Sequence, residues 1–185
     1  MIRAFIAVEL PEALRQQVSA YQSGLKSSGA NVKWVAADNL HLTLKFLGNI
    51  EETQLASLKE SLAAAAAGSK PFTIRLEGIG AFPGTRSPRV LWLGITDGKE
   101  RLIELAGTVE QCCSKLGFPP EDRPFSPHLT VGRVRSQERL APLIKRLQVA
   151  EFQASEPAEV NQLVLFQSTL SPNGPLYTPL AEIPF

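Results

Sequence analysis

The sequence has few of the residues on which disulfides, metal centres and broad electrostatic attraction depend. Its 185 residues include two cysteines and two histidines, and 19 basic residues nearly balance 18 acidic ones, for a net charge of +1. The cysteines are adjacent, at positions 112 and 113, so they cannot form a useful bridge with each other. Their scarcity is typical of a reducing compartment. Without a broad basic field, any contact with nucleic acid must be local.

Long apolar segments are also missing. No apolar run approaches the roughly 20 residues that a membrane-spanning helix needs, and the short run at residues 2–8 is closed by Glu9. It does not resemble a signal peptide. We therefore expect a cytoplasmic protein with no membrane partner. With 44% hydrophobic residues, the chain can bury a core without disulfides, and we expect one domain over residues 1–185.

Residue patterns predict a mixture of strands and helices that do not alternate regularly. Predicted strands cover residues 2–9, 32–35, 41–47, 72–82, 89–95, 128–134, 151–155, 159–168 and 176–185. Predicted helices cover residues 11–26, 51–67, 99–116 and 137–147. Hairpin-like neighbours and this irregular order favour an α+β fold with antiparallel sheets.

Both histidines of the chain lie in the same four-residue pattern. The first is His-Leu-Thr-Leu at residues 41–44, and the second is His-Leu-Thr-Val at residues 128–131, about half the chain later. In a strand, residues i and i+2 point to the same face, so each histidine projects together with its threonine. One such motif would be weak evidence, whereas two copies that use every histidine predict a shared site.

Two such strands side by side would present two imidazoles, from His41 and His128, and two hydroxyls, from Thr43 and Thr130. An imidazole has an ordinary pKa of about 6.5, so at neutral pH one ring can act as a base and the other as an acid. The hydroxyls can donate to non-bridging phosphate oxygens. This set suits in-line displacement at phosphorus. A strained cyclic phosphodiester is a fitting substrate because its ring needs no metal to open.

Two other interpretations of the histidines are weaker. Each ring could be a satisfied core residue on a strand, but the repetition of the motif argues against that. Zinc could be bound together with Asp38, Glu51 or Asp122, but the His-Glu-x-x-His, His-x-His and Cys–His spacings of zinc sites are missing from the sequence. The sequence therefore predicts a site without a metal or another cofactor.

The chain resembles the two-histidine phosphoesterase superfamily, and within it the bacterial RNA 2′,3′-cyclic phosphodiesterases formerly called 2′-5′ RNA ligases. The paired His-x-Thr-x motifs carry the likeness to the superfamily, and residues 3–8, 39–48 and 125–133 carry the likeness to the family. The resemblance implies an α+β fold of two pseudo-symmetric lobes. Antiparallel sheets and flanking helices would form the lobes, with the active site in the cleft between them.

The resemblance also implies roles for individual residues. His41 would donate a proton to the leaving O3′, and His128 would accept a proton from the attacking water, which leaves a 2′-phosphate on the RNA. The residues alone leave open which histidine is the acid and which the base. Thr43 and Thr130 would hold the phosphate. Arg133 resembles a family arginine near the substrate, with a solvated charge at a strand end as the alternative.

Three further residues are candidates for substrate contact. Phe5 and Phe46 could stack on a base, although packing in the core is the more ordinary role of phenylalanine. Lys45 continues the first motif and is expected to contact the substrate.

The motifs leave the substrate open within this chemistry. We expect the protein to be a monomer. Its expected partner is an RNA with a 2′,3′-cyclic phosphate end, and the family resemblance suggests fragments of transfer RNA. A reversible 2′-5′ RNA ligase, or an enzyme for another small cyclic phosphate, needs the same groups and stays an alternative. A module that binds RNA ends without turnover is disfavoured because both histidines and both threonines are intact.

Overall fold

The computed structural model describes residues 1–149, 151–172 and 174–185. In chain order its strands and helices are β1 (Ile2–Glu9), α1 (Glu12–Lys26), β2 (Val32–Trp34), β3 (His41–Ile50), α2 (Leu55–Ala66), β4 (Phe72–Ile74), β5 (Leu76–Phe82), β6 (Val90–Ile95), α3 (Lys99–Lys115), β7 (His128–Val134), α4 (Leu140–Val149), β8 (Ala158–Val160), β9 (Gln162–Ser171) and β10 (Gly174–Pro184). No helix in these described ranges combines the length and the apolar character that crossing a membrane requires.

Two four-stranded antiparallel sheets form the framework. The first has the strand order β10-β9-β1-β3, and the second has the order β2-β7-β6-β5, while β4 pairs only with β8. Each histidine motif begins a strand of a different sheet, because β3 starts at His41 and β7 starts at His128. The predicted α+β fold with antiparallel sheets is confirmed.

The first sheet is covered on both faces at its centre, where β1 has five consecutive buried residues. One face of β1 joins the main core, into which α1 inserts Leu14, Val18 and Leu25. The opposite face carries a smaller cluster around Phe5 and Phe166. A strand buried on both sides reads as a continuous apolar run rather than an alternating one. The first strand of this sequence is such a run.

A β-bulge in β3 changes which side chains share a face after the first motif. Thr43 pairs with Ala7, but Lys45, two residues later, pairs with Ile6, the adjacent residue of β1. One residue of β3 is therefore inserted, which shifts the alternation of side chains by one position. Lys45 consequently faces away from Thr43, and Phe46 takes the face that Thr43 occupies.

The same irregularity follows the second motif in β7. Thr130 pairs with Trp92, whereas Gly132, two residues later, pairs with Leu91, the adjacent residue of β6. The inserted residue again shifts the alternation, so Arg133 shares a face with Thr130. In both halves of the molecule, the fifth residue after the histidine thus joins the face of the motif.

The bulge in β3 places the side chain of Lys45 on the buried face of the strand. Its side chain is 1% exposed, and its ammonium forms an ion pair of 2.7 Å with Glu110 of α3. It also donates a hydrogen bond of 3.0 Å to the main-chain oxygen of Pro119. These contacts give Lys45 a structural role, while its contact with the substrate stays a prediction, since Lys45 also lines the cleft that holds both histidines. It ties β3 to α3 and to the loop that leads to the second motif.

A buried glutamine of α1 holds the bulge of β7. Gln22 is 1% exposed, and its Nε2 donates hydrogen bonds of 2.8 Å to the oxygen of Val131 and 2.9 Å to the oxygen of Val35. Val131 is the inserted residue of the bulge, and its oxygen also accepts the N–H of Val35 at 3.0 Å. One side chain therefore fixes the backbone between Thr130 and Arg133.

Three predicted strands differ from the structure, and the one predicted over residues 159–168 is divided at Asn161 between β8 and β9, which belong to different sheets. Residues 151–155 do not form a strand, because their links to β5 are separate hydrogen bonds, from Gly78 N to Phe152 O and from Ser155 N to Leu76 O, rather than a ladder. The strand predicted over residues 72–82 is interrupted at Arg75, whose N–H turns to the oxygen of Asp97.

Replacing Gln22 by leucine tests the link between α1 and the bulge. We expect Gln22→Leu to lower the free energy of unfolding by about 2 kcal/mol, because two buried carbonyl oxygens lose a donor. Urea denaturation measures the effect. The control is Gln16→Leu, since that amide bonds to Glu12 on the surface of the same helix. Its loss should change the free energy of unfolding by less than about 0.5 kcal/mol. Equal effects of the two substitutions would contradict this account.

The ion pair of Lys45 predicts an asymmetric response. Glu110→Ala leaves a buried ammonium without its counter-charge and should cost about 3 kcal/mol of unfolding free energy. Lys45→Met leaves a carboxylate that is 30% exposed and can be hydrated, so it should cost about 1 kcal/mol. Denaturant unfolding of the two variants gives both values. The assignment fails if Lys45→Met proves the more damaging change.

Candidate active site

Both motifs line a single cleft of about 1440 Å³, whose walls come from strands of both sheets, from α3 and from the loop before β7. His41 and Thr43 enter it from β3, and His128 and Thr130 enter it from β7. All four side chains are half-buried, whereas the leucines between them are buried. The structure thus brings together the four residues that the sequence places in one site.

His41 is fixed by a hydrogen bond and by aromatic packing. Its Nδ1 lies 2.7 Å from the main-chain oxygen of Asn39. Its ring lies 4.8 Å from that of Phe5 and 5.2 Å from that of Tyr177, measured between centroids. Burial lowers the pKa of His41, and the hydrogen bond to Asn39 opposes this in part. The Asn39 side chain is itself held, since its Nδ2 donates to the oxygen of Pro175 at 2.9 Å.

His128 repeats this arrangement in the other half of the molecule. Its Nδ1 lies 2.7 Å from the main-chain oxygen of Ser126, again two residues earlier. The ring of Phe82 meets it edge-on at 5.2 Å, and the ring of Trp92 lies at 6.4 Å. Pro127 favours an extended backbone at Ser126, which helps to place this carbonyl.

The two hydrogen bonds determine which nitrogen of each ring is available for chemistry. A carbonyl oxygen can only accept, so Nδ1 must carry the proton in His41 and in His128. The Nε2 of each neutral ring then keeps a lone pair, and protonation turns it into a donor. One cleft therefore holds two groups that can each serve as base or acid.

The remaining predicted residues differ in their access to the cleft. All four of these residues line it, namely Phe5, Lys45, Phe46 and Arg133, but Arg133 and Phe46 are exposed, Phe46 by 60%. Phe5 is 3% exposed, and its ring is occupied by the His41 ring and by Phe166 at 5.2 Å. These contacts indicate that Phe5 packs against His41 and positions its ring, rather than stacking on a base.

Several residues at the cleft escaped the sequence analysis. Arg3, Phe82 and Tyr177 all line it. Arg3 had a signal that could have been used, because it lies two residues before Phe5 and shares its face in a strand. Phe82 and Tyr177 lie on strands of the same sheets as the histidines, with other strands in between. A single sequence does not specify this strand order.

The donor atoms needed for a metal do not converge. Within residues 1–149, 151–172 and 174–185, no group of three or more histidine, cysteine, aspartate or glutamate side chains is placed to hold a metal ion. Of the carboxylates that the zinc alternative would need, Asp122 lines the cleft, whereas Asp38 and Glu51 are not among its lining residues.

Comparison with known proteins agrees with this geometry. The family model described as LigT like Phosphoesterase matches the chain twice, over residues 8–92 and 93–177. RNA 2′,3′-cyclic phosphodiesterase of Methanothermobacter thermautotrophicus is 43% identical over 96% of this chain and 95% of its own. The enzyme of the same name from Thermotoga maritima is 35% identical over 100% of this chain and 96% of its own.

Solved structures give the same result for the fold. A crystal structure of a Thermus thermophilus protein superimposes with a TM-score of 0.85 at 30% identity, over 98% of this chain and 97% of that one. The E. coli LigT complex with 3′-AMP has a TM-score of 0.79 at 29% identity, over 100% and 98% of the two chains. The expected fold of two pseudo-symmetric lobes is confirmed, and the chain belongs to the LigT-like phosphoesterase family.

Proposed function

We propose that the protein hydrolyses 2′,3′-cyclic phosphate ends of RNA to 2′-phosphomonoesters by general acid–base catalysis without a metal ion. The observation that carries the proposal is the paired hydrogen bonding of the histidines, each held through Nδ1 by a carbonyl two residues earlier, in one cleft. The names of the relatives support the choice of substrate.

His128 accepts the proton of the attacking water at Nε2, and the oxygen of that water bonds to phosphorus. The bond from phosphorus to O3′ breaks, and His41 gives the leaving O3′ a proton from its own Nε2. This assignment follows the family resemblance. Burial lowers the pKa of His41, so the free protein holds the ring neutral at neutral pH. A bound phosphate anion raises that pKa because it stabilises the imidazolium, which makes His41 a donor when substrate is present.

The other residues of the cleft divide between phosphate and base. Thr43 and Thr130 donate from their hydroxyls to non-bridging oxygens, and Arg133 adds a positive charge on the same face of β7. Phe46, which is 60% exposed, stacks on the terminal base. Phe5 supports the ring of His41 from below the site.

The setting of the reaction is part of the same proposal. We place the protein in the cytoplasm, acting as a monomer on RNA fragments such as those of transfer RNA. Cyclic phosphate ends form when RNA is cleaved by its own 2′-hydroxyl, so the substrate arises without a dedicated synthetic enzyme. The reverse reaction would join a 5′-hydroxyl to such an end, which is the ligase alternative.

A substrate panel tests the reaction. We expect turnover of an oligoribonucleotide with a 2′,3′-cyclic phosphate end to a product with phosphate on O2′, unaffected by EDTA. His41→Ala and His128→Ala should each lower kcat by about 100-fold or more, and Thr43→Ala and Thr130→Ala should lower it less. Product mapping by nuclear magnetic resonance identifies the phosphate position. Loss of activity with EDTA, or phosphate on O3′, would contradict the mechanism.

The pKa of His41 gives a separate prediction. In the free protein His41 should titrate below about 6.5, and a bound nucleoside 2′-monophosphate should raise its pKa. Because the unfolded chain binds this proton at higher pH, the contribution of His41 to stability is present above about 6.5 and is lost as the pH falls through the folded-state value. A proton titration by nuclear magnetic resonance, with His128→Ala for assignment, measures both values. A His41 pKa that does not rise with ligand would contradict the assignment of His41 as the proton donor.

A further inference from the structure

Several cationic side chains besides Arg133 line the cleft, and Arg3 is the one that β1 carries. Arg3 is exposed, lines the cleft, and comes two residues before Phe5 on β1. Two residues of a strand span about 7 Å, and the ring of Phe5 lies 4.8 Å from that of His41. Arg3 therefore lies about 7 Å farther along β1 than Phe5, which contacts the ring of His41.

Arg3 belongs to a polar row across three strands. Tyr177 of β10 pairs with Ser168 of β9, and Gln167 pairs with Ala4 of β1. Continuing this antiparallel register by one residue places Ser168 of β9 beside Arg3 of β1. All three members of the row line the cleft. This row, Arg3–Ser168–Tyr177, borders the aromatic side chains that support His41.

Arg3 forms no ion pair with a carboxylate among the described residues, whose ion pairs are those of Lys45, Arg75 and Arg101. Burial raises the pKa of Tyr177, while the positive charges of Arg133 and then Arg3 lower it in part. The Tyr177 hydroxyl therefore stays neutral and able to donate, with two guanidinium groups near it.

The cleft is larger than hydrolysis of a mononucleotide requires. Pockets that enclose one drug-sized ligand measure about 300–1000 Å³, whereas this cleft measures about 1440 Å³. The terminal cyclic phosphate occupies the space between the histidines in the proposed function. The additional room, and the polar row at its edge, remain for the part of the RNA that precedes the terminal nucleotide.

We propose that Arg3, with Tyr177 beside it, binds the phosphodiester that precedes the terminal nucleotide, and that this contact makes the enzyme prefer RNA ends to mononucleotides. The inference rests on the proposed function. A guanidinium can hold a phosphodiester through two parallel hydrogen bonds, and the phenol supplies a third donor. Arg133 is then left for the terminal phosphate, on the strand that carries His128.

The test compares Arg3→Met with wild type on three substrates. These are adenosine 2′,3′-cyclic phosphate, an oligoribonucleotide with a cyclic phosphate end, and the same oligoribonucleotide with a neutral methylphosphonate at the preceding linkage. We expect Arg3→Met to lower kcat/KM on the second substrate by about tenfold and to leave the other two unchanged. Arg15→Met is the matched control, because Arg15 is half-buried on α1 and is not among the cleft residues. It should leave all three rates unchanged.

Each outcome decides the inference. Equal loss on the mononucleotide and the oligoribonucleotide would mean that Arg3 acts on the terminal phosphate, and no loss on either would mean that it binds neither group. Both results overturn the inference while leaving the proposed function intact. An inactive wild type would instead overturn the proposed function.

A binding measurement then tests Arg3 without turnover. Fluorescence anisotropy with a labelled oligoribonucleotide that ends in a 2′-phosphate gives the affinity at several salt concentrations. For Arg3→Met, the slope of log affinity against log salt should be shallower by about 0.7, the value for one phosphate contact on a single strand. An unchanged slope would overturn the inference.

Discussion

The hydrogen bond from each imidazole Nδ1 to a main-chain carbonyl is the constraint on which the rest of the site depends. A neutral imidazole can carry its proton on either nitrogen, and a ring with the proton on Nε2 cannot accept one there. The carbonyls of Asn39 and Ser126, each 2.7 Å from its histidine, select the tautomer whose lone pair is on Nε2. Because a carbonyl bond also survives protonation of the ring, the same contact serves a base and an acid.

The two halves share the same β-bulge after the histidine motif, but they place different side chains with it. Each motif ends in a β-bulge that returns the fifth residue after the histidine to the face of the motif. That residue is Phe46 in the first half and Arg133 in the second, so one lobe offers an aromatic ring and the other a positive charge. The fourth residue differs as well, since Lys45 enters the core and Gly132 has no side chain to place. A duplicated framework thus produces two sides suited to different parts of one nucleotide.

The sequence was sufficient for the parts of the site that follow from strict alternation. The pairing of His41 with Thr43, and of His128 with Thr130, needed only the two-residue repeat of a strand. It was insufficient where the repeat is broken, so the buried ion pair of Lys45 with Glu110 was not predicted. A bulge depends on the partner strand and on distant supports such as Gln22, whose amide binds Val131 across 109 positions of the chain. Tyr177 likewise reaches His41 through strand pairing that local patterns do not encode.

The proposed chemistry requires that both histidines, when neutral, present an unprotonated Nε2 to a phosphate in the cleft. Long-range proton–nitrogen correlation spectra of the ¹⁵N-labelled protein, recorded well above about pH 6.5, report the tautomer of each ring directly. We expect the Nδ1-protonated tautomer for both His41 and His128. A predominant Nε2-protonated form at either position would contradict it, because that ring would then lack the lone pair that the proposed proton transfer requires.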